Sequence, residues 1–456
     1  MRVLHVCNAS GGAPWLVEIL RELRDRGHEV AAVVRGDDGS LAAALREIGV
    51  RYIVLDHDML AGANPFVAAR RILRLISLFR QERPDIVQAH LFSSTIATRI
   101  AAWIADVPIR LSMNTGPYYL ESPILGDVDV RTAWVDTRII ASCEYTRRLY
   151  IEKGVPADAV DLIYYGSNAA RFDPAHVDRG RIRRELGVGD DVPIIGMVAY
   201  FYPPSRPHPA VSPAMVNRGI KGHDVLLKAV PLVLAKLPDA RFVLVGDGWG
   251  ERGKAYRLEM EALAASLGIA HSVTFLGHRL DVPDLLAGFD VALQCSLSEN
   301  LGGAIEALMM QAPLIVSRTG GLVDAVRDEE TGLVVPPDDP PALAAAICRL
   351  IDDRALAQRL AAAGRKLMLE RFTAARTGAD LDDLYRSCAA AARFAGRPPH
   401  LAGYRLGRTV LRSAWSPIWA LQLLRMVWPV VLAVINHRRA SGVGSNDAAT
   451  GRRRDS

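Results

Sequence analysis

Between Ser298 and Gly321 the chain reads SENLGGAIEALMMQAPLIVSRTGG. A polar turn carries Glu299, Asn300 and Leu301, and Gly302-Gly303 then opens a helix expected to run to about Gln311. Unpaired N–H groups at a helix start carry partial positive charge. Glycines there let a phosphate come close to the backbone. Glu306, in the first turns, can accept from vicinal hydroxyls such as those of a ribose. Ser317 to Gly321 form a second glycine-bearing turn, expected on the same sheet edge. Upstream, Arg218 and Lys221 flank Gly219-Ile220 before a helix expected over 224–236. Two cations at a loop-to-helix junction suit a diphosphate leaving group. Together these residues point to a nucleotide diphosphate that carries a sugar.

Such residues need a frame that brings loops to one edge. Residues 2–7 read as a buried strand, followed by a loop with Gly11-Gly12. Leu16, Ile19, Leu20 and Leu23 then recur at helical spacing, Gly27 ends that helix, and residues 29–34 form the next strand. Strand, glycine loop, helix, strand is a βαβ unit with an anion site at the helix start. The loop lacks the spaced three-glycine fingerprint, which argues against a dinucleotide site. Alternation continues with a helix over 65–82, a strand over 85–89 ending at His90, and a helix over 95–105. A strand over 109–113 leads to Asn114 and a long loop. Strands over 138–141 and 160–164 follow, with a helix over 144–153 between them. This order builds a doubly wound parallel sheet, whose ligands sit at the carboxyl edge where His90 and Asn114 fall.

Residues 166–191 are polar and read as an interdomain connection. A second sheet starts with residues 193–199. The proline-rich segment 200–219 is too long for an ordinary connection and reads as a functional or mobile loop. Strands are expected over 241–245, before the turn Gly246-Asp247-Gly248, and over 273–276, 290–293, 314–316 and 332–335. Helices occupy about 341–392.

Of the chain's 456 residues 50% are hydrophobic and 23% charged, as in an ordinary globular protein. The five cysteines, Cys7, Cys143, Cys295, Cys348 and Cys388, are scattered without metal-ligand spacing, which suits reduced thiols in a cytosolic compartment. The net charge of +5 is uneven: residues 397–456 hold ten Arg against two Asp, so the body is slightly acidic. That gives no sign of nucleic-acid binding. Tryptophans Trp415, Trp419 and Trp428 lie among aliphatics and arginines, a pattern suited to an interfacial helix on an anionic leaflet.

Taken together, the segments resemble the large retaining family of GT-B glycosyltransferases known as group one, or family four. KGHDVLLKA at 221–229, FVLVGDG at 242–248, VTFLGH at 273–278, IEALMMQAPLIVSRTGG at 305–321 and TGLVVPPDD at 331–339 carry the likeness. GHEV at 27–30 and RPDIVQAH at 83–90 extend it to the first half. The resemblance implies two Rossmann-like doubly wound α/β domains facing across a cleft. The first, acceptor domain is expected over 1–175, completed by a crossover helix over 373–392. The donor domain is expected over 192–372, a basic, Trp-rich helical tail for membrane association over 397–440, and disorder over 441–456. It also implies sugar transfer from a nucleotide sugar to a saccharide or lipid-linked acceptor with retention, in surface polysaccharide or glycolipid assembly at the cytosolic membrane face. No cofactor or metal is expected: Lys221 and Arg218 hold the diphosphate, Glu306 the ribose, and the amides of Gly302 and Gly303 the phosphates. Asn300, Leu301, Gly246, Gly11 and Gly12 complete the donor site, with His90, Asn114 and Glu299 toward the transferred sugar.

The sequence departs from the family twice. Two glutamates usually lie eight positions apart, but Glu299 and Glu306 are seven apart, with Ser298 where the first is expected. Asn114-Thr115-Gly116 stands where a histidine usually meets the sugar; asparagine can hydrogen-bond but cannot act as a base. The alternatives are a sugar-nucleotide epimerase of the same fold and a catalytically idle binding subunit.

Overall fold

The computed structural model describes residues 1–58 and 65–395. The first sheet contains β1 (Arg2–Cys7), β2 (Glu29–Val34), β3 (Arg51–Val54), β4 (Ile86–His90), β5 (Ile109–Asn114), β6 (Arg138–Ala141) and β7 (Val160–Leu162). Its order is β3-β2-β1-β4-β5-β6-β7, all parallel. The second contains β8 (Ile194–Val198), β9 (Arg241–Val245), β10 (Val273–Gly277), β11 (Val291–Gln294), β12 (Leu314–Ser317) and β13 (Leu333–Val335). Its order is β10-β9-β8-β11-β12-β13, again all parallel. Both are Rossmann-like, and in each the strand order reverses beside the first strand, where a crevice opens at the carboxyl edge. The central strands are buried from end to end, as strands covered on both faces are, with polar Gln88, His90, Gln294 and Ser317 among their apolar residues.

Several elements escape the sequence pattern, among them the helices Tyr118–Glu121 and Pro123–Thr132 in the stretch expected as a long loop. A helix at Ser40–Glu47 and the strand β3 precede the helix Pro65–Glu82. β3 is an edge strand whose residues stay half-exposed or exposed, so it lacks a buried apolar run. The polar connection also holds a helix, Arg181–Leu186, whose single buried anchor Ile182 packs where Gly288 leaves room.

The chain crosses between the domains twice, and the two crossings pair with each other. Ser167 N–H donates to the Phe372 carbonyl at 3.0 Å, and Ala374 N–H donates to the Ser167 carbonyl at 2.9 Å. The second crossing feeds the helix Ala374–Ala395, which lies on the first domain. There Thr377 Oγ1 donates to the Tyr164 carbonyl at 2.8 Å, the Tyr385 hydroxyl to Gln88 Oε1 at 2.5 Å, and the His28 ring meets Asp382 at 2.9 Å. Gly378 lets this helix close on the helix Pro14–Asp25, since a Cβ there would stand 2.5 Å from Glu22 Cβ. One apolar cluster runs continuously from Leu16 and Leu20 of the first domain through Tyr165, Phe172 and Phe372 to Leu308 of the second.

Among the described residues no helix is long and apolar enough to cross a membrane. The tail expected over 397–440 and the segment 441–456 lie outside the described residues.

A Cβ on Gly166 would lie 2.1 Å from the Thr373 carbonyl group and 2.6 Å from Ala374 N. Gly166→Ala is therefore expected to force the crossings apart and to cost about 1–3 kcal/mol of stability, the usual range for overpacking. A lowered urea midpoint checks this; an unchanged midpoint would show that the crossings yield freely.

Candidate active site

A cleft of about 710 Å³ lies between the carboxyl edges of the two sheets. On the second domain, β11 runs into the turn Ser298–Gly303, and the helix Ala304–Met309 follows. Gly302 adopts φ +50°, a left-handed conformation that an L side chain rarely takes. A Cβ on Gly303 would stand 2.7 Å from Gln294 Nε2. Both glycines line the cleft with Ser298, Glu299, Asn300, Leu301 and Glu306. The second glycine turn does not line it. It braces the first from behind: Gly321 N–H donates to the Glu299 carbonyl at 3.1 Å, and Gly320 leaves room for that same carbonyl.

Glu306 looks into the cleft toward Arg171. Burial pushes its carboxyl from 4.5 up to about 7, partly offset by the Arg171 guanidinium. Lys221 also lines the cleft, and its ammonium contacts Glu299 directly. Glu299 Oε2 also accepts from Ser296 Oγ at 3.1 Å, and Oε1 from the Asn300 N–H at 3.1 Å. The Lys221 ammonium sits 5.7 Å from the Tyr202 ring centre. Gly222, at φ +73°, lets this loop pass the Cys295 carbonyl, which a Cβ would meet at 2.1 Å. Gly246 lines the cleft as well, with a φ of +144° and the Ala199 carbonyl packed where a Cβ would go.

Five sequence expectations fall elsewhere. Arg218 does not line the cleft; it is clamped between Asp224, at 2.6 Å, and Asp338. His90 is fully buried and stacked on His5, with rings 5.2 Å apart and a ring-nitrogen contact of 2.9 Å. Burial, and then the neighbouring His5, hold it well below the ordinary histidine range, and Trp15 stands between it and the cleft. The Asn114 side chain closes its own turn: Oδ1 accepts from Gly116 N–H at 2.9 Å, and Nδ2 donates to the Tyr150 hydroxyl at 3.3 Å. Behind it Arg99 is buried between Asp129 and Asp136, each at 2.7 Å. Gly11 and Gly12 also lie outside the lining; Gly12, at φ +70°, faces the Trp249 ring of the other domain.

The sequence reading also missed residues. Tyr118, Tyr119, Tyr200, Tyr202 and Trp249 line the cleft. Glu121 joins the domains: Oε1 accepts from Ser298 Oγ at 3.0 Å and Oε2 from Ser212 Oγ at 2.7 Å. Ser212 belongs to the proline-rich segment, which docks on the first domain. There the Pro209 carbonyl accepts from Ile124 N–H at 3.1 Å and Ser122 Oγ at 3.0 Å. The only signal for it was its length and proline content.

Residues 10–166 match the family described as glycosyl transferase 4-like domain, and residues 211–353 the family described as glycosyl transferases group 1. The chain belongs to the group 1 glycosyl transferases. This glycosyltransferase is 29% identical over 378 residues to the D-inositol 3-phosphate glycosyltransferase of Acidothermus cellulolyticus, covering 76% of this chain and 79% of that one. It is 27% identical over 390 residues to the lipopolysaccharide core biosynthesis glycosyltransferase LpsE of Rhizobium meliloti, covering 82% and 95%. Its GT-B fold matches that of HepE from Anabaena, with a TM-score of 0.70 at 20% identity, covering 85% of this chain and all of that one.

The raised carboxyl of Glu306 gives the glycosyltransferase a pH signature. Between 4.5 and about 7 the folded chain holds a proton that the unfolded chain has released, so stability falls as pH rises through that window. Glu306→Gln should flatten the slope and stabilise the unliganded protein at pH 8 by about 1–2 kcal/mol, less than the full shift because the group keeps solvent contact. Urea titrations at pH 5 and pH 8 measure it; parallel pH profiles for both proteins would place Glu306 in water.

Proposed function

We propose that the protein transfers a sugar from a nucleotide-sugar donor to a saccharide or lipid-linked acceptor, with retention at the anomeric carbon. The observation that carries this reading is Glu306 behind the Gly302-Gly303 helix start, with Lys221 lining the same cleft. The structurally similar HepE was solved with UDP and with UDP-glucose, which supports a uridine nucleotide as the first donor to try. The diphosphate lies against the amides of Gly302 and Gly303, and Glu306 accepts from the ribose hydroxyls.

Lys221 neutralises the charge that grows on the leaving phosphate as the glycosidic bond breaks. Glu299 holds that ammonium in place beforehand, so an arriving diphosphate competes with one carboxylate for it. Arg218, spoken for by two aspartates, acts at one remove by fixing the Lys221 loop. His90 and Asn114 are both engaged inside the first domain. The leaving phosphate itself then takes the proton of the acceptor hydroxyl, on the same face of the sugar from which it departs. That route keeps the anomeric configuration and needs no metal, since Lys221 and the helix start carry the charge. We place the reaction in surface polysaccharide or glycolipid assembly at the cytosolic membrane face, on the tail's arginines and tryptophans.

A thermal-stability screen of nucleotide sugars identifies the donor, and calorimetry measures it. Glu306→Ala should weaken donor binding by about 1.5–3 kcal/mol; equal affinity would take Glu306 out of the donor site. Lys221→Ala should lower turnover far more than donor affinity. Activity should survive EDTA, and loss restored by magnesium or manganese would replace the lysine account with a metal one. Assays of sugar transfer and of donor hydrolysis separate an enzyme from an idle binder, which would show neither.

A further inference from the structure

Opposite Lys221, the first domain's wall of the cleft is built by the loops after β4 and β5. Leu91 follows β4, and Thr115, Tyr118 and Tyr119 follow β5. The Tyr118 and Tyr119 rings lie 4.1 Å apart, and Tyr119 is stacked on Phe92 at 5.6 Å with 24° between planes. From the donor domain Tyr202 turns in beside them, its ring stacked 5.6 Å from Trp249 and its centre 5.7 Å from the Lys221 ammonium. Three tyrosines thus converge beside the Lys221–Glu299 pair, where an acceptor hydroxyl must reach the leaving group.

The charges around this wall are already committed. Among the described residues the cleft is lined by three strong cations, Arg171, Lys221 and Arg279. Lys221 is matched by Glu299, and the donor's diphosphate is its natural second partner. Arg279 is held on the donor wall by Asp281 at 2.7 Å and Glu185 at 2.7 Å. Arg171 faces Glu306. The β4 and β5 loops bring no cation to the lining. A phosphate monoester carries about −1.5 to −2 charge at neutral pH and calls for Arg or Lys contacts. Against this wall it would be stripped of water without a partner and would face the Glu299 carboxylate. A neutral sugar ring meets no such penalty, since its C–H face suits the negative face of an aromatic ring.

We propose that Tyr118, Tyr119 and Tyr202 form an acceptor subsite for an uncharged saccharide and that it rejects phosphorylated sugars and polyols. The inference rests on the transfer reaction above and adds the chemical class of its acceptor. The test uses the full-length protein and the nucleotide sugar that most raises its melting temperature. Release of nucleoside diphosphate is followed with methyl glycosides of glucose, galactose and mannose, and with the 6-phosphates of the same glycosides. At least one neutral glycoside should stimulate release about tenfold more than its phosphate, with an acceptor KM insensitive to salt. Tyr119→Ala should raise that KM about tenfold while changing the donor KM less than threefold, and Tyr119→Phe should recover most of that loss, because the ring carries the contact. A stronger response to the phosphates, a KM that rises steeply with salt, or donor binding with no response to any neutral glycoside would overturn the proposal. Failure of every nucleotide sugar to bind is a different result: it would remove the transfer reading, and this subsite with it.

Discussion

The pairing of the two interdomain crossings governs everything else in this molecule. A connection of two single strands would leave two Rossmann-like domains free to swing. Here Ser167 bonds to both sides of Thr373, and Gly166 carries no Cβ so that the backbones can touch. Tyr164 packs on Phe372 at 4.7 Å just beyond, which covers the joint with apolar surface. The joint fixes which edges face each other. Each parallel sheet puts all its strand-to-helix turns on its carboxyl edge, so facing those edges creates one cleft from two sets of loops. The helix Ala374–Ala395 then ties the end of the second domain back to the first and makes separation of the two cores costly.

The far side of the cleft is closed by different means. Near the joint the contacts are apolar and continuous, whereas at the mouth they are single hydrogen bonds. Glu121 accepts from Ser298 and Ser212, and Asn300 Nδ2 donates to the Thr115 carbonyl at 3.4 Å. Each such bond is worth on the order of 1 kcal/mol. That is enough to favour the closed arrangement and little enough to be broken when a ligand enters or leaves. The proline-rich segment adds to this edge without adding much flexibility, because proline fixes its own φ and loses less freedom on docking.

Much of the frame was legible in the sequence, and the reason is local. A buried parallel strand must be an apolar run, and a helix covering it must show apolar residues every three or four positions. β1, β2, β4, β5 and the inner strands of the second sheet satisfy this within a few residues. β3 does not, because an edge strand is buried by neither face. The donor side was legible for a related reason: Gly302, Gly303 and Glu306 act through the backbone of one turn. The acceptor side was not. Whether His90 points into a cleft depends on His5, 85 positions away, and Trp15. Arg218 is drawn off by Asp338, 120 positions downstream. Tyr118, Tyr119 and Tyr202 have no spacing that announces them, since they come together only when the domains do.

The same distinction separates Ser298 from Glu299, which are neighbours in the sequence. In space Ser298 is turned toward the seam, nearly buried, with its hydroxyl on Glu121. Glu299 carries the carboxylate into the cleft. Its direction is set by backbone features on both sides: a Cβ on Gly302 would stand 3.1 Å from its carboxyl carbon, and Gly320 and Gly321 close on its carbonyl. Neighbouring positions of one turn thus face different ways: Glu299 meets the Lys221 ammonium in the cleft, and Ser298 bonds to Glu121 across the seam.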